Sequence, residues 1–466
     1  MEKLNELRRN VNNNMNTGSD HGQKVTLSSS FVGSVRWYQK RNFEALSIFR
    51  RRRKPDLFIT MTCNPYHPDI LNALPKNCKP GDRPDIVGRV FRQHLQHLIG
   101  MLINGGVPNW ETAKALIEVI EFQKRGLPHA HILLTLNREY AITEEEIPKY
   151  CSAEIPYVRT KGDFEVYRNV ITKMIHGPCV QLNPKASCCA NDKKKCSKHY
   201  PMEFQSRYYF DKDGKAIYQR QSPEERVLIG HQNVTVTNQW VVPYNPYLLK
   251  TFNCHINVEI CSSPQVVKYL LWYPFKGDPR VMASVKNSYD EIQTFADMRI
   301  IGPSEVFWRY GDYGLHHRYP TCTSLTIHLE NEQTVYFEED DDLVAMLNDP
   351  QKVTQLQAFY NLNRDNPTEE NVTLKYVDFP EKYVWHQRSK TWEKRKEVTS
   401  IKKEAIGTLP LLQPNMGDIF YLKLLLTHNH CKGKLSETDL RTVDGTTYNT
   451  CKETCMTLGI LGDDDE

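Results

Sequence analysis

Nowhere in its 466 residues does the chain carry an apolar run long enough to span a bilayer, so no membrane-embedded role is expected. The N-terminal stretch, Met1 to Gly22, lacks the apolar core of a secretory leader and is instead polar and rich in asparagine. No Gly-x4-Gly-Lys-Ser/Thr phosphate loop occurs, which leaves no ATP site of that kind. A one-sided charge is missing too: 60 Lys and Arg stand against 56 Asp and Glu, for a formal net charge of +4. Nucleic-acid binding therefore has to be argued from local clusters and not from the chain as a whole. Internal repeats are absent. What is present is length enough for a large core, divided into two or three domains. There are also 13 cysteines, which without a leader point to an intracellular, reducing setting of thiols or metal ligands rather than disulfides.

The densest chemistry lies at Glu121 to His131. Leu116, Ile117, Val119 and Ile120 before it, and Ile132 to Leu134 after it, read as buried strands joined by a turn at Gly126 and Pro128. Alternate side chains of a strand share a face, so His129 and His131 point together across Ala130, and Glu121 and Gln123 point together on the neighbouring strand. Two imidazoles and one carboxylate or amide oxygen can hold a divalent ion with positions left open for a substrate oxygen. The plainer meaning of a lone His-x-His is a solvated strand face.

Around this hairpin, Leu57 to Thr62 reads as a strand, preceded by the basic run Arg50 to Lys54, which is either a solvated face or a phosphate contact. Pro84 opens a helix whose apolar positions recur from Ile86 to Leu102 and which Gly105-Gly106 ends. Ile256 to Cys261 is the next strand. Ser263 then caps a helix bearing Tyr269 and Tyr273 at i and i+4, flanked by Lys268 and Lys276 and closed by Pro274. Such a pair is either two packed tyrosines or two nucleophiles for phosphodiesters, with the lysines steadying charge on the phosphate. Between these parts, His176, Cys179, Cys188 and Cys196 have a spacing that can close a four-ligand structural Zn²⁺ site, with Cys189 and His199 as spares. Near the C-terminus Trp385 and Trp392, interleaved with Arg388, Lys390 and Lys394, read as packing anchors among phosphate-contacting lysines.

The order Phe58-Ile59-Thr60-Met61-Thr62-Cys63-Asn64-Pro65, then His129-Ala130-His131, then Tyr269 and Tyr273 resembles the Rep-type HUH endonuclease region of Helitron rolling-circle transposases. Further phrases similar to that family's, such as Asp82-Arg83-Pro84-Asp85, Ile175 to Cys179 and Trp240 to Tyr247, run in family order from about Val25 to the C-terminus. The resemblance implies an α+β fold with a central antiparallel sheet carrying the two histidines and a tyrosine helix packed toward the metal. It implies a disordered tail over 1–24, a first part of the nuclease core over 25–139 and a Cys/His-rich insertion over 140–250. A second part of the core with the tyrosine helix follows over 251–335, and a mixed accessory region over 336–466.

Carried onto these residues, the resemblance makes His129 and His131 ligands of a catalytic Mg²⁺ or Mn²⁺, with Glu121 as third ligand and Gln123 as its rival. It makes Tyr269 and Tyr273 the nucleophiles of a single-strand DNA endonuclease and strand transferase. The substrate would be single-stranded DNA at transposon ends, cut through a 5′-phosphotyrosine intermediate in the nucleus. Two departures stand out: Trp272 and Pro274-Phe275 interrupt the family's tyrosine helix, and His67 occupies a place where tryptophan is usual. Full transposases of this kind continue into a helicase, which would here come from another protein or domain. The alternative is an inactive, DNA-binding remnant. A metal-dependent hydrolase unrelated to DNA would leave the tyrosine pair unexplained.

Overall fold

The computed structural model describes residues 29, 31, 34–122, 126–183, 186–189, 195–222, 227–229, 234–261, 302–330, 332, 353–396 and 404–461. Five strands form the central sheet: β1 (Leu57–Thr62), β2 (Ala113–Phe122), β3 (Pro128–Leu136), β4 (Ile256–Ile260) and β5 (His316–Tyr319). Their order is β4-β1-β3-β2-β5, and every pairing is antiparallel. The expected hairpin is thus β2 and β3, and β3 is the middle strand of the sheet. Both of its faces are covered, which is why nine successive residues from Pro128 to Leu136 are all buried.

One face presents Ala130, Ile132 and Leu134 of β3 with Ile59, Met61, Ile120 and Val258 to the helix Pro84–Asn104. That helix begins on Pro84, whose fixed backbone angle suits a first turn, and stops at Gly105, which takes a left-handed φ of 80°. Its Val87, Phe91, Leu95, Leu98 and Leu102 recur on one stripe and are buried in the same core. Each such side chain removed from water stabilises the fold by roughly 1.5–3 kcal/mol. The opposite face presents Phe58, Ile117, Val119 and Leu133 to Ala45, Ile48 and Phe49 of the helix Val35–Arg52. Ser34 caps that helix, accepting a hydrogen bond from the Trp37 amide at 3.0 Å.

The segment over 140–250 shares the sheet's core, for Tyr150, Val170, Met174, Tyr244, Leu248 and Leu249 pack in the same cluster. A second core gathers around Phe359, Tyr376, Phe379, Leu422 and Leu425 in the C-terminal region. There the hairpin Tyr383–His386/Thr391–Lys394 sets Trp385 opposite Trp392, with ring centroids 5.4 Å apart, and the Trp392 indole donates to the Gln355 carbonyl at 3.0 Å. The tryptophans are packing anchors, as expected. The three central arginines of the basic run are engaged in ion pairs within the chain. Arg51 pairs with Asp378 and, at 3.2 Å, with Glu381, while Arg53 pairs with Asp56 at 2.8 Å. Folding brings acidic partners from more than 300 residues away to Arg51 and Arg52, so these two tie the helix Val35–Arg52 to the C-terminal region.

Candidate metal sites on the sheet and in the cysteine cluster

The register of the sheet decides which side chains meet the hairpin histidines. His131 lies opposite Thr60 on one side and Val119 on the other, and His129 lies opposite Thr62 and Glu121. Each imidazole is held by the threonine across from it: His131 Nδ1 is 3.1 Å from Thr60 Oγ1, and His129 Nδ1 is 2.9 Å from Thr62 Oγ1. With Nδ1 engaged, Nε2 is the nitrogen left for a cation, and the threonine contacts fix the ring orientation. His131 Nε2 lies 3.0 Å from Glu121 Oε2. Burial first, and repulsion from His131 second, pulls His129 down to about 4 against the attraction of Glu121, so at neutral pH it is an uncharged ligand.

The donor chemistry fits a divalent ion, and one observation strengthens the fit. Asn257 of β4 lies opposite Thr60, in the same cross-strand row as His131, and its buried Oδ1 has no hydrogen-bond partner among the described residues. An amide oxygen, two imidazoles and a carboxylate are donors that a hard or borderline ion accepts. Asn257 and the half-buried His255, whose Nδ1 bonds the Lys173 carbonyl at 2.8 Å, were not singled out from sequence. The signal was there in part, for residues 255 and 257 alternate on a strand, but their placement beside β1 is long-range. Gln123, Lys268, Tyr269, Tyr273 and Lys276 lie outside the described residues.

Among the described residues, donor atoms of three or more His, Cys, Asp or Glu side chains converge to within 4.8 Å at two places, and the set His129, His131 and Glu121 is not one of them. The first is the expected set His176, Cys179, Cys188 and Cys196. Cys179 opens a short helix, Cys188 sits on a helical turn, and Cys196 follows the lysine-rich stretch, so three separate turns deliver the thiols. His176 Nε2 is 3.4 Å from Cys196 Sγ and 3.8 Å from Cys188 Sγ, and its ring stacks on Tyr200 with centroids 4.4 Å apart. Three sulfurs and one imidazole nitrogen are the donors that select zinc, and four protein ligands leave no open position. Burial and the neighbouring thiols push Cys179 up, whereas at Cys196 burial is outweighed by backbone amides of Lys198 and Tyr200 that hold the thiol down. Cys189 is buried beside the set without belonging to it.

The second place, which sequence reasoning missed, joins His67, Asp69 and His94. His94 Nε2 is 2.8 Å from Asp69 Oδ2, and the two rings meet edge-on with centroids 4.5 Å apart. Burial, then His94, lowers the His67 pKa.

A mixed α+β chain with an antiparallel sheet, a hairpin bearing paired histidines and a Cys/His cluster is thus the class defined by fold and site. Residues 1–134 match the family of the Helitron helicase-like domain at the N-terminus, a stretch that ends in β3 just beyond the two histidines. No curated protein matches the chain.

Proposed function

We propose that the chain is a metal-dependent endonuclease that nicks and transfers single-stranded DNA through a tyrosine of the segment holding Tyr269 and Tyr273. The observation that carries this reading is the cross-strand row in which Thr60 and Thr62 aim His129 and His131 toward one side of the sheet, next to Glu121. The family match over residues 1–134 supports it. His129, His131 and Glu121 would hold the ion, with Asn257 as an oxygen donor close by; when bound, the ion polarises the phosphate and neutralises its charge. Attack by the Tyr269 hydroxyl oxygen on the scissile phosphorus forms a tyrosine–phosphate ester as the bond to the 3′ oxygen breaks. The 3′ oxygen leaves as a hydroxyl, taking up the equivalent of the proton that the tyrosine gives up. Tyr273 would then serve the joining step, since Pro274 follows it directly in sequence and would end a helix there, whereas Tyr269 stands five positions before the proline. The Cys/His cluster is read as a structural zinc site.

Incubating the purified chain with Mn²⁺ and single-stranded oligonucleotides tests the proposal. A covalent adduct surviving denaturation is expected, located on Tyr269 by mass spectrometry and absent from Tyr269→Phe, while Tyr273→Phe keeps first-strand cleavage. His129→Ala and His131→Ala should each lower cleavage by roughly 10³-fold or more, corresponding to the several kcal/mol a catalytic ion supplies. Cleavage at the parental rate in either histidine variant would remove the hairpin from the chemistry. A folded, metal-loaded protein with no adduct on either tyrosine would instead be a DNA-binding remnant.

A further inference from the structure

We infer that His67, Asp69 and His94 form a further divalent-cation site, of the two-imidazole, one-carboxylate kind, on the side of the sheet opposite the hairpin histidines. The loop that leaves β1 delivers His67 and Asp69 at the start of the helix Pro68–Ala73, and His94 comes from the middle of the helix Pro84–Asn104. That long helix covers the face of Ala130 and Ile132, so the cluster is separated from His129 and His131 by the sheet itself. Three donor atoms, one from each residue, lie within 4.8 Å of one another, with Asp69 Oδ2 2.8 Å from His94 Nε2 and 3.5 Å from His67 Nδ1. Ligands at about 2.0–2.2 Å from a tetrahedral ion stand roughly 3.3 Å apart, so small side-chain rotations admit one.

The surroundings hold the ligands in place. His67 caps its helix, with its unprotonated Nδ1 accepting from the Asp69 amide at 3.2 Å, and the ion takes that lone pair in place of the amide. His94 stands beside Phe252, 6.5 Å between centroids, at the junction of two helices. Asp69 is the exposed member, so an ion can enter from solvent and keep at least one water. Two neutral nitrogens and one carboxylate suit Zn²⁺, Fe²⁺ or Co²⁺ better than Mg²⁺, which demands more oxygen donors. The ion would bridge the loop after β1 to the long helix. Because β1 supplies Thr60 and Thr62, that bridge stiffens the strand from which the hairpin histidines are aimed.

The test is made in the full chain carrying His129→Ala and His131→Ala, so that hairpin metal does not enter the count and the outcome does not depend on the proposed nuclease activity. After equilibration with Zn²⁺ and dialysis against a weak chelator, elemental analysis should find two zinc ions per chain, one in the cysteine cluster and one here. Adding His94→Ala or Asp69→Asn should each lower the count to one, and should abolish any rise in melting temperature caused by Zn²⁺ beyond the first equivalent. Cobalt substitution separates the two ions, since only the cysteine site gives sulfur-to-cobalt charge-transfer bands. A count unchanged by both variants, in protein with unaltered circular dichroism, overturns the site, as does a parent that holds only the cysteine-bound ion.

Discussion

The hairpin histidines and the Cys/His cluster solve the same problem, gathering nitrogen, oxygen or sulfur donors, in opposite ways. On the sheet the spacing is set by the backbone: His129 and His131 are two residues apart on β3, and Thr60, Thr62 and Glu121 reach them through strand register. Such ligands stay in place without an ion, because the strands on either side and the covering helices hold them. In the cluster, short turns between residues 176 and 196 bring in three thiols and one imidazole, with little apolar burial beyond the cysteines themselves. There the ion is part of what holds the turns together. A rigid frame with spare coordination positions suits chemistry, and a closed set of four ligands suits structure.

Metal removal should break this contrast most sharply. Structural zinc contributes about 10–16 kcal/mol of apparent binding energy in small zinc-folded peptides, so a strong chelator, or Cys179→Ser, should unravel the cluster while sparing the sheet. Hydrogen exchange followed by mass spectrometry checks it: amides over 176–200 should lose protection and those of β2 and β3 should not. Equal loss in both, or none in either, would erase the distinction.

A smaller effect separates the two faces of a single strand. Glu121 lies on the side of the histidines, whereas Glu118, three residues earlier, lies opposite Ile132 on the face covered by the long helix. Burial raises the Glu118 carboxyl from 4.5 to about 8. The folded chain then keeps a proton that the unfolded chain gives up, so the stability is complete below about pH 4.5 and is lost as pH rises through about 8. The difference amounts to roughly 5 kcal/mol between those limits. Urea unfolding at pH 5 and pH 8 should show the loss in the parent and a flatter profile in Glu118→Gln; parallel profiles would place the carboxyl in water.

The smallest effect concerns aim. Thr62→Val deletes the hydroxyl that orients His129 and keeps the volume, so Mn²⁺ affinity at the hairpin should fall about 10–100-fold. Zinc in the cluster should be unaffected. Calorimetric titration giving the parental affinity would mean that packing alone orients the ring.

Much of this was legible in the chain because it depends on local periods. Alternation put His129 and His131 on one face, Pro84 and Gly105 bounded a helix, and Trp385 and Trp392 fell opposite one another across a short hairpin. The spacing of His176, Cys179, Cys188 and Cys196 also sufficed, since their turns are short enough for the four to meet nearby in sequence. Other meetings were not legible. Thr62 reaches His129 across 67 positions, His94 reaches Asp69 across 25, and Arg51 reaches Asp378 across 327.

The sequence by itself determined β1, the hairpin, β4 and the long helix, the shared face of the histidines and the composition of the cysteine cluster, because backbone geometry repeats over a few residues. Tertiary structure decided the rest: that β3 is the central strand, that Asn257 stands beside Thr60, that Arg51, Arg52 and Arg53 enter internal ion pairs, and that His67 finds His94. Those contacts depend on which distant surfaces bury together and in what register, and no short-range period encodes that choice.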